Sequence, residues 1–214
     1  MMKPNRKSAW AFFSSVWAAG VFGILLAGNA SADDNLPKLI LIIRHAEKLG
    51  VKTDPHLSEA GQERAKQLDG LFLKTAKRPM PFPRPDFIFA AHDSKNSKRP
   101  LETVLPLAMK FKMPIDDNFY STMPAKNTKE DKAKGAAELR DEIFTTKKYA
   151  GKTILICWRH GVLPELAKAL KAPNTPTKWG DDVYDRVWQI SYDERGQAIF
   201  ADLPQRLMPG DSPK

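Results

Sequence analysis

The sequence predicts an α/β fold with three layers, in which a mostly parallel sheet lies between helices and carries an antiparallel hairpin at its edge. Two observations predict this fold. Short apolar runs alternate with amphipathic helical patterns along the chain, as in strand–helix–strand units. The last two apolar runs flank the turn residues 193–196, which is typical of a hairpin. The length of 214 residues, 42% of them hydrophobic, suits one domain with a buried core.

Each element follows from a local pattern. The apolar runs at residues 39–43, 87–91 and 154–157 predict buried strands, and those at 187–191 and 198–203 predict the hairpin. Apolar residues at helical spacing predict helices over residues 58–74, from Arg99 onward, and over 129–144. Ser58 is a candidate N-cap of the first helix. Residues 209–214 are predicted to be a frayed tail.

The first 32 residues differ in composition from the rest. A basic start is followed by an uncharged stretch over residues 9–28 and by the small residues Ala30, Ser31 and Ala32. This order predicts a signal peptide over residues 1–32, cleaved after Ala32, and a domain over 33–214 that is periplasmic or secreted. The alternative is an uncleaved membrane anchor. Cleavage lowers the net charge from +9 to +6, because residues 1–32 hold three basic residues and no acidic one.

Three of the four histidines directly follow a predicted strand. Arg44 and His45 follow the first strand, His92 the second, and Arg159 and His160 the third. Arg99 opens the helix after the second strand. Because the carboxyl ends of parallel strands meet at one edge of a sheet, we expect these side chains to share one crevice.

Histidines among arginines favour an anion over a metal ion. Guanidinium groups repel a divalent cation, whereas their planar fork binds phosphate oxygens. Nearby cations also favour the neutral imidazole, which is the nucleophilic form. The residues therefore predict a phosphate-handling site with a nucleophilic histidine and with no metal or cofactor. The single cysteine, Cys157, excludes an internal disulfide and is expected in the core.

Four segments resemble motifs of the histidine phosphatase superfamily, which includes phosphoglycerate-mutase-like enzymes and bacterial phosphohistidine phosphatases. They occur in the order of the family and cover most of residues 38–170. The segments are LILIIRHAEK (39–48), LSEAGQERAKQL (57–68), KRPLETVLPLA (98–108) and ILICWRHG (154–161). The resemblance implies that His45 is the nucleophile, that Arg44 and Arg99 bind the phosphoryl oxygens, and that His160 completes the pocket.

Further residues are candidates for substrate binding. These are His92, Arg159 and Glu47, and the segments 112–135 and 172–185 are expected to form the rim of the pocket. The chain departs from the family where mutase-like members carry a glutamate as general acid, because residues 121–126 hold no carboxylate. The candidates for a substitute general acid are the carboxylates nearest to the motifs, which are Glu47, Asp93 and Glu165. Asp117 and Glu130 are more distant options.

The leading functional hypothesis is an exported phosphatase that acts on a small phosphomonoester through a phosphohistidine, without a metal. One alternative is a phosphomutase, and another is a catalytically silent protein that binds phosphate. Basic charge alone would also fit a nucleic-acid binder, but the sequence has no motif for one, so no nucleic-acid partner is expected. A membrane contact is expected only if the leader is uncleaved.

Overall fold

A six-stranded sheet forms the centre of the part of the chain that the structure describes. The structure is a computed structural model, and it describes residues 35–51, 53–76, 78–121 and 128–213. The sheet has the order β3-β2-β4-β1-β5-β6. Its strands are β1 (Leu39–Arg44), β2 (Phe87–Ala90), β3 (Ile115–Asp116), β4 (Thr153–Trp158), β5 (Arg186–Tyr192) and β6 (Ala198–Pro204).

The first four strands are parallel, whereas β5 pairs antiparallel with β1 and with β6. The prediction of a mostly parallel sheet with an antiparallel edge hairpin is therefore confirmed. Every residue of β1 and β4 is buried. Strands buried on both faces read as continuous apolar runs, which is why residues 39–43 and 154–157 were recognisable in the sequence.

Helices cover both faces of the sheet, which gives the three predicted layers. The α-helices are α1 (Glu59–Lys66), α2 (Arg99–Phe111), α3 (Lys129–Thr145) and α4 (Leu163–Ala169). Helices α3 and α4 bury their apolar residues on one face of the sheet, together with Trp179 and Trp188. On the other face lie α2 and a 3₁₀ segment, Leu68–Phe72. Helix α1 packs against α2.

The predicted helix over residues 58–74 is wrong in its second half. Ser58 caps α1 as expected, because its Oγ accepts a hydrogen bond from the N–H of Gly61 at 3.2 Å. The α-helix ends at Lys66 and the 3₁₀ segment follows. In a 3₁₀ helix, residues three apart lie on the same side. This geometry lets Leu68 and Leu71 both enter the core.

The prediction of a frayed tail over residues 209–214 is also wrong. The side chain of Asp211 is only 5% exposed and pairs with the buried Arg64. The carboxylate of Asp211 also accepts hydrogen bonds from the N–H groups of Leu207 and Met208. These contacts fix the segment after β6 against the body of the fold. The composition of the tail gave no sign of them.

The predicted leader, residues 1–32, and its cleavage site lie outside the described residues. The chain divides into two units, Met1–Ala30 and Ser31–Lys214, and the described residues all belong to the second. None of the helices in the described ranges is both long enough and apolar enough to cross a bilayer.

Candidate active site

The parallel pairing of β1 with β4 brings the two predicted Arg-His motifs side by side. Arg44 lies opposite Trp158 in the register, and the N–H of His45 donates to the carbonyl of Trp158 at 3.1 Å. Strands β1 and β4 therefore end at the same level of the sheet. The ring centroids of His45 and His160 are 6.3 Å apart, with the rings close to perpendicular.

Thr103 joins the start of α2 to the end of β1. Its Oγ1 accepts a hydrogen bond from the N–H of Ala46 at 2.9 Å and donates one to the carbonyl of Arg99 at 2.7 Å. Thr103 is 1% exposed, so solvent does not compete for these bonds. Because Ala46 follows His45, this one hydroxyl fixes the first turn of α2 relative to the candidate nucleophile. Thr103 is a positioning residue.

Arg44 is almost fully buried, at 1% exposure, and it is held through one end of its guanidinium. Its Nη1 donates to the carbonyls of Gly180, Asp181 and Val183 at 3.1, 2.6 and 3.0 Å. The ring of Tyr184 lies 3.9 Å from the guanidinium carbon. The buried Nε and Nη2 have no hydrogen-bond partner among the described residues. An edge of two guanidinium N–H donors has the geometry that suits two oxygens of a phosphate.

His45 is held in one tautomer. Its Nδ1 lies 2.7 Å from the carbonyl oxygen of Ala46, and a carbonyl only accepts, so Nδ1 carries the proton and Nε2 carries the lone pair. Burial lowers the pKa of His45 to about 3, and the positive charges of Arg44 and Arg99 act in the same direction. The imidazole is therefore neutral at physiological pH, which is the form that a nucleophile requires.

Of the remaining predicted cations, Arg99 acts on His45 through its charge, and Arg159 is close enough to Arg99 to be affected by it. Burial lowers the pKa of Arg99, although Asp54 and Glu102 oppose this effect. The Nη1 of Arg99 donates to the carbonyl of Asp54 at 2.6 Å, while its buried Nε has no partner in the described ranges. The pKa of Arg159 is lowered by burial and by the nearby charge of Arg99.

His160 completes this group. Burial, followed by the charge of Arg44, lowers the pKa of His160 to about 4. Its Nε2 lies 3.4 Å from a carboxylate oxygen of Asp181, and its buried Nδ1 has no hydrogen-bond partner in the described part of the chain. The side chain of Asp181 is 65% exposed, and its charge raises the pKa of His160 against the effect of burial.

Two predicted substrate-binding residues are engaged elsewhere. Both carboxylate oxygens of Glu47 accept hydrogen bonds from Nε of Arg64, at 2.9 and 3.1 Å. His92 donates from Nδ1 to the carbonyl of Asp117 at 2.7 Å, and its ring lies 4.3 Å from that of Tyr120. Glu47 therefore has its charge satisfied by a neighbouring helix, whereas His92 is held just after β2 through its Nδ1.

The loop from Gly180 to Tyr184 has a role at the site that no sequence motif indicated. Its carbonyls hold Arg44, and the ring centroid of Tyr184 lies 6.3 Å from that of His45. The loop was assigned to the pocket rim only in general terms, within residues 172–185. Carbonyl groups are present at every residue, so no side-chain pattern could identify this contact.

The site as a whole is built for an anion. Three guanidinium groups and two neutral imidazoles come together, and the carboxylates near Arg44, Asp181 and Asp182, lie on the exposed loop. A tetrahedral oxyanion would supply acceptors for the unpartnered nitrogens of Arg44 and Arg99. In the described ranges no group of three or more His, Cys, Asp or Glu side chains is arranged to hold a metal ion.

The low pKa of His45 makes the folded protein less stable in acid. Its pKa is about 3 in the folded chain and near 6.5 in the unfolded one. Between these values the unfolded chain binds the extra proton, so the free energy of unfolding falls as the pH is lowered. We expect this group to contribute about 2 kcal/mol of that loss between pH 7 and pH 5. Urea unfolding of the wild type and of His45→Gln at both pH values measures it. Equal losses in the two proteins would contradict the expectation.

Solved structures of phosphate-handling enzymes share this architecture. A phosphoglycerate mutase from Bacillus anthracis str. Sterne is similar with a TM-score of 0.54 and 17% identity, over 80% of this chain and 94% of that one. A mycobacterial glucosyl-3-phosphoglycerate phosphatase, solved with inorganic phosphate, has a TM-score of 0.51 and 14% identity, over 78% and 95%. A structure described as mycobacterial hydrolase 1 has a TM-score of 0.52 and 12% identity, over 78% and 97%.

Comparison of the amino-acid sequence with known families and curated proteins identifies no relative. No protein-family model matches the chain, and no curated protein matches it significantly. At identities of 10–17% the structural likeness shows the fold and not the activity. The chain shares its α/β fold with a phosphoglycerate mutase and a phosphatase, and its sequence motifs resemble those of the histidine phosphatase superfamily.

Proposed function

We propose that the protein is a phosphatase that hydrolyses a small phosphomonoester through a phosphohistidine at His45. The observation that carries the proposal is the state of the two central residues. His45 is neutral with Nδ1 protonated, and the buried Arg44 beside it presents an unpartnered Nε and Nη2. The first supplies the lone pair for attack and the second supplies donors for the phosphoryl oxygens.

The reaction has two displacements. The lone pair of Nε2 of His45 forms a bond to phosphorus while the bond from phosphorus to the ester oxygen breaks, and the leaving oxygen takes a proton. Water then attacks the phosphohistidine, gives up a proton, and releases phosphate and the free imidazole. Arg44, Arg99 and His160 lie around His45 and would neutralise the charge on the transferring group in both steps.

The main alternatives are a phosphomutase and a silent phosphate binder. The fold occurs in both a phosphatase and a phosphoglycerate mutase, so it does not choose between water and a second hydroxyl as acceptor. The carboxylate of Glu47 is paired with Arg64, which leaves the site without an evident proton donor beside His45. The pairing of Glu47 with Arg64 favours the silent binder. The identity of a proton donor therefore decides between a phosphatase and a silent binder.

Replacing the nucleophile tests the proposal. We expect the protein without residues 1–32 to hydrolyse p-nitrophenyl phosphate in the presence of EDTA, and His45→Ala to lower kcat/KM by about a thousandfold or more, because the covalent step is lost. His56→Ala is the matched control, since that histidine is half exposed and pairs with Glu102 outside the site. Equal activity of His45→Ala and wild type would exclude the mechanism. Vanadate binding without turnover would support the silent binder.

We propose Asp93 as the proton donor. It follows β2, whose neighbour β4 ends at Trp158 and is followed by Arg159 and His160. Its Oδ1 is buried without a hydrogen-bond partner in the described ranges. Burial, together with the like charge of Asp117, raises the pKa of Asp93 above its ordinary value. A carboxyl group that keeps its proton to higher pH can donate it to a leaving oxygen.

The leaving group decides whether Asp93 matters. We expect Asp93→Asn to lower kcat for glycerol 2-phosphate by about a hundredfold, because an alkoxide must be protonated as it leaves. Its effect on p-nitrophenyl phosphate is expected to be only about twofold, because nitrophenolate leaves without a proton. Asp193→Asn is the matched control and should preserve the ratio of the two activities, because that carboxylate lies in the β5–β6 turn, where it accepts hydrogen bonds from the N–H groups of Arg195 and Gln197. Equal losses on both substrates would rule out a proton-donating role.

We further propose that the protein is exported and that its leader is removed after Ala32. The support is the order of basic, apolar and small residues in the first 32 positions. When the full chain is expressed in a Gram-negative host, we expect the mature protein in the periplasmic fraction with Asp33 as its first residue. Intact mass of the purified protein measures this. Retention of residues 1–32 in a membrane fraction would instead identify an anchor.

A further inference from the structure

The segment after β6 touches both parts of the chain that hold the candidate nucleophile and its arginine. It runs from Gln205 to Pro213 and is called the C-terminal clamp below. One of its contacts reaches Glu47, two residues after His45, through Arg64. The other reaches Asp185, one residue after Tyr184. The motifs of the sequence do not include this segment, and the proposed chemistry does not use it.

The first contact is a buried ion-pair network. Arg64 is 5% exposed and donates from Nη1 and Nη2 to the two carboxylate oxygens of Asp211, at 3.0 and 2.8 Å. The same guanidinium binds Glu47 through Nε and also donates to Oε1 of Gln205 at 3.2 Å. These charged hydrogen bonds hold the pKa of Asp211 below its usual range. Arg64 therefore connects the clamp to the turn that carries His45.

The second contact fixes the loop that binds Arg44. The N–H of Ser212 donates to Oδ2 of Asp185 at 2.5 Å, and the N–H of Gln205 donates to the carbonyl of Asp185 at 2.7 Å. The side-chain amide of Gln205, which is 1% exposed, donates to the carbonyl of Arg186 at 3.1 Å. Asp185 directly follows the carbonyls and the aromatic ring that hold Arg44 in place.

We propose that the C-terminal clamp is a positioning element of the active site, in which Asp211 keeps the His45 turn and the 180–185 loop in the geometry that binds and transfers a phosphoryl group. The proposal rests on the proposed function for the part that concerns transfer. In this proposal Asp211 does not contact any atom that reacts. It acts through Arg64 on one side and, with Ser212, through Asp185 on the other.

The alternative is that Asp211 only stabilises the fold, and Asp193 provides the matched control. Asp193 is a carboxylate in the β5–β6 turn that accepts hydrogen bonds from the N–H groups of Arg195 and Gln197, much as Asp211 does from Leu207 and Met208. It lies on the far side of the hairpin from the candidate site. Loss of Asp193 therefore removes a carboxylate that holds a turn, without touching the clamp.

The test compares Asp211→Ala, Asp185→Ala and Asp193→Ala with wild type at a temperature where circular dichroism shows each protein folded. We expect Asp211→Ala to weaken vanadate binding and to lower kcat by about tenfold to a hundredfold, because Arg44 and His45 lose their fixed relative positions. Asp193→Ala should change neither. Asp185→Ala should weaken vanadate binding by a smaller factor, since it removes one contact and leaves the Arg64 pair.

Amide hydrogen exchange separates the two contacts and does not depend on activity. Asp211→Ala should speed exchange in peptides covering residues 44–48 and 180–185, and Asp185→Ala only in the second. A lower Tm with unchanged exchange and unchanged vanadate affinity would overturn the proposal. If the wild type binds vanadate but hydrolyses no ester, the phosphatase proposal fails, while binding and exchange still decide the role of the clamp. If it binds no vanadate, the phosphatase proposal fails and exchange alone decides whether the clamp holds the loop.

Discussion

Burial of the Arg44 charge without a carboxylate partner is the constraint on which the site depends. A guanidinium at 1% exposure is costly unless its donors are satisfied. Three loop carbonyls and the face of Tyr184 meet part of that requirement, and they can do so only if residues 180–184 fold over the end of β1. A carboxylate in the same place would have paired with the free edge of the guanidinium. Carbonyls hold the arginine and leave that edge available.

Backbone carbonyls, and not carboxylates, also accept hydrogen bonds from His45 and Arg99. The carbonyl of Ala46 fixes the tautomer of His45, and the carbonyl of Asp54 accepts from Arg99. Thr103 joins the two backbones through one hydroxyl group. Burial is the main cause that lowers the pKa of both histidines, and the charges of the nearby arginines act in the same direction. The buried crevice that collects the guanidinium groups therefore supports both properties that the proposed chemistry needs, an oxyanion site and a free imidazole.

The fold and the candidate residues could be predicted to different extents. Strands β1, β2 and β4 and the hairpin were recognisable because buried strands and tight turns have local signatures, and the order of parallel strands then placed His45 near His160. Helix α4 was missed, although Leu163, Leu166, Ala167 and Leu170 follow the helical spacing of a buried face. Glycine is a poor helix former, yet α3 contains Gly135, because a side chain there would lie 2.3 Å from the carbonyl oxygen of Tyr120. That close approach is a tertiary contact with no signal in the helix itself.

Contacts between distant parts of the chain were beyond sequence reasoning for the same reason. The pairing of Glu47 with Arg64, the carbonyls that bind Arg44 and the burial of Asp211 all depend on which segments meet. A carboxylate beside a catalytic motif looks equally available whether it faces the pocket or a buried arginine. Residue types and strand ends predict which residues lie near the candidate site. The tertiary structure decides which of these side chains are free of other partners.

The clamp also bears on how the molecule acquires a working site. Arg64 and Asp211 are 147 positions apart, and the strand that carries His45 is paired with the first strand of the C-terminal hairpin. Contacts of such long sequence separation form late, because the chain between them must first be ordered. The network that holds the crevice therefore includes residues that are synthesised after both Arg-His motifs. A polypeptide made only as far as His160 holds the two motifs but not the network that sets their geometry, so the pocket reaches its final geometry only after residues 205–213 have been synthesised.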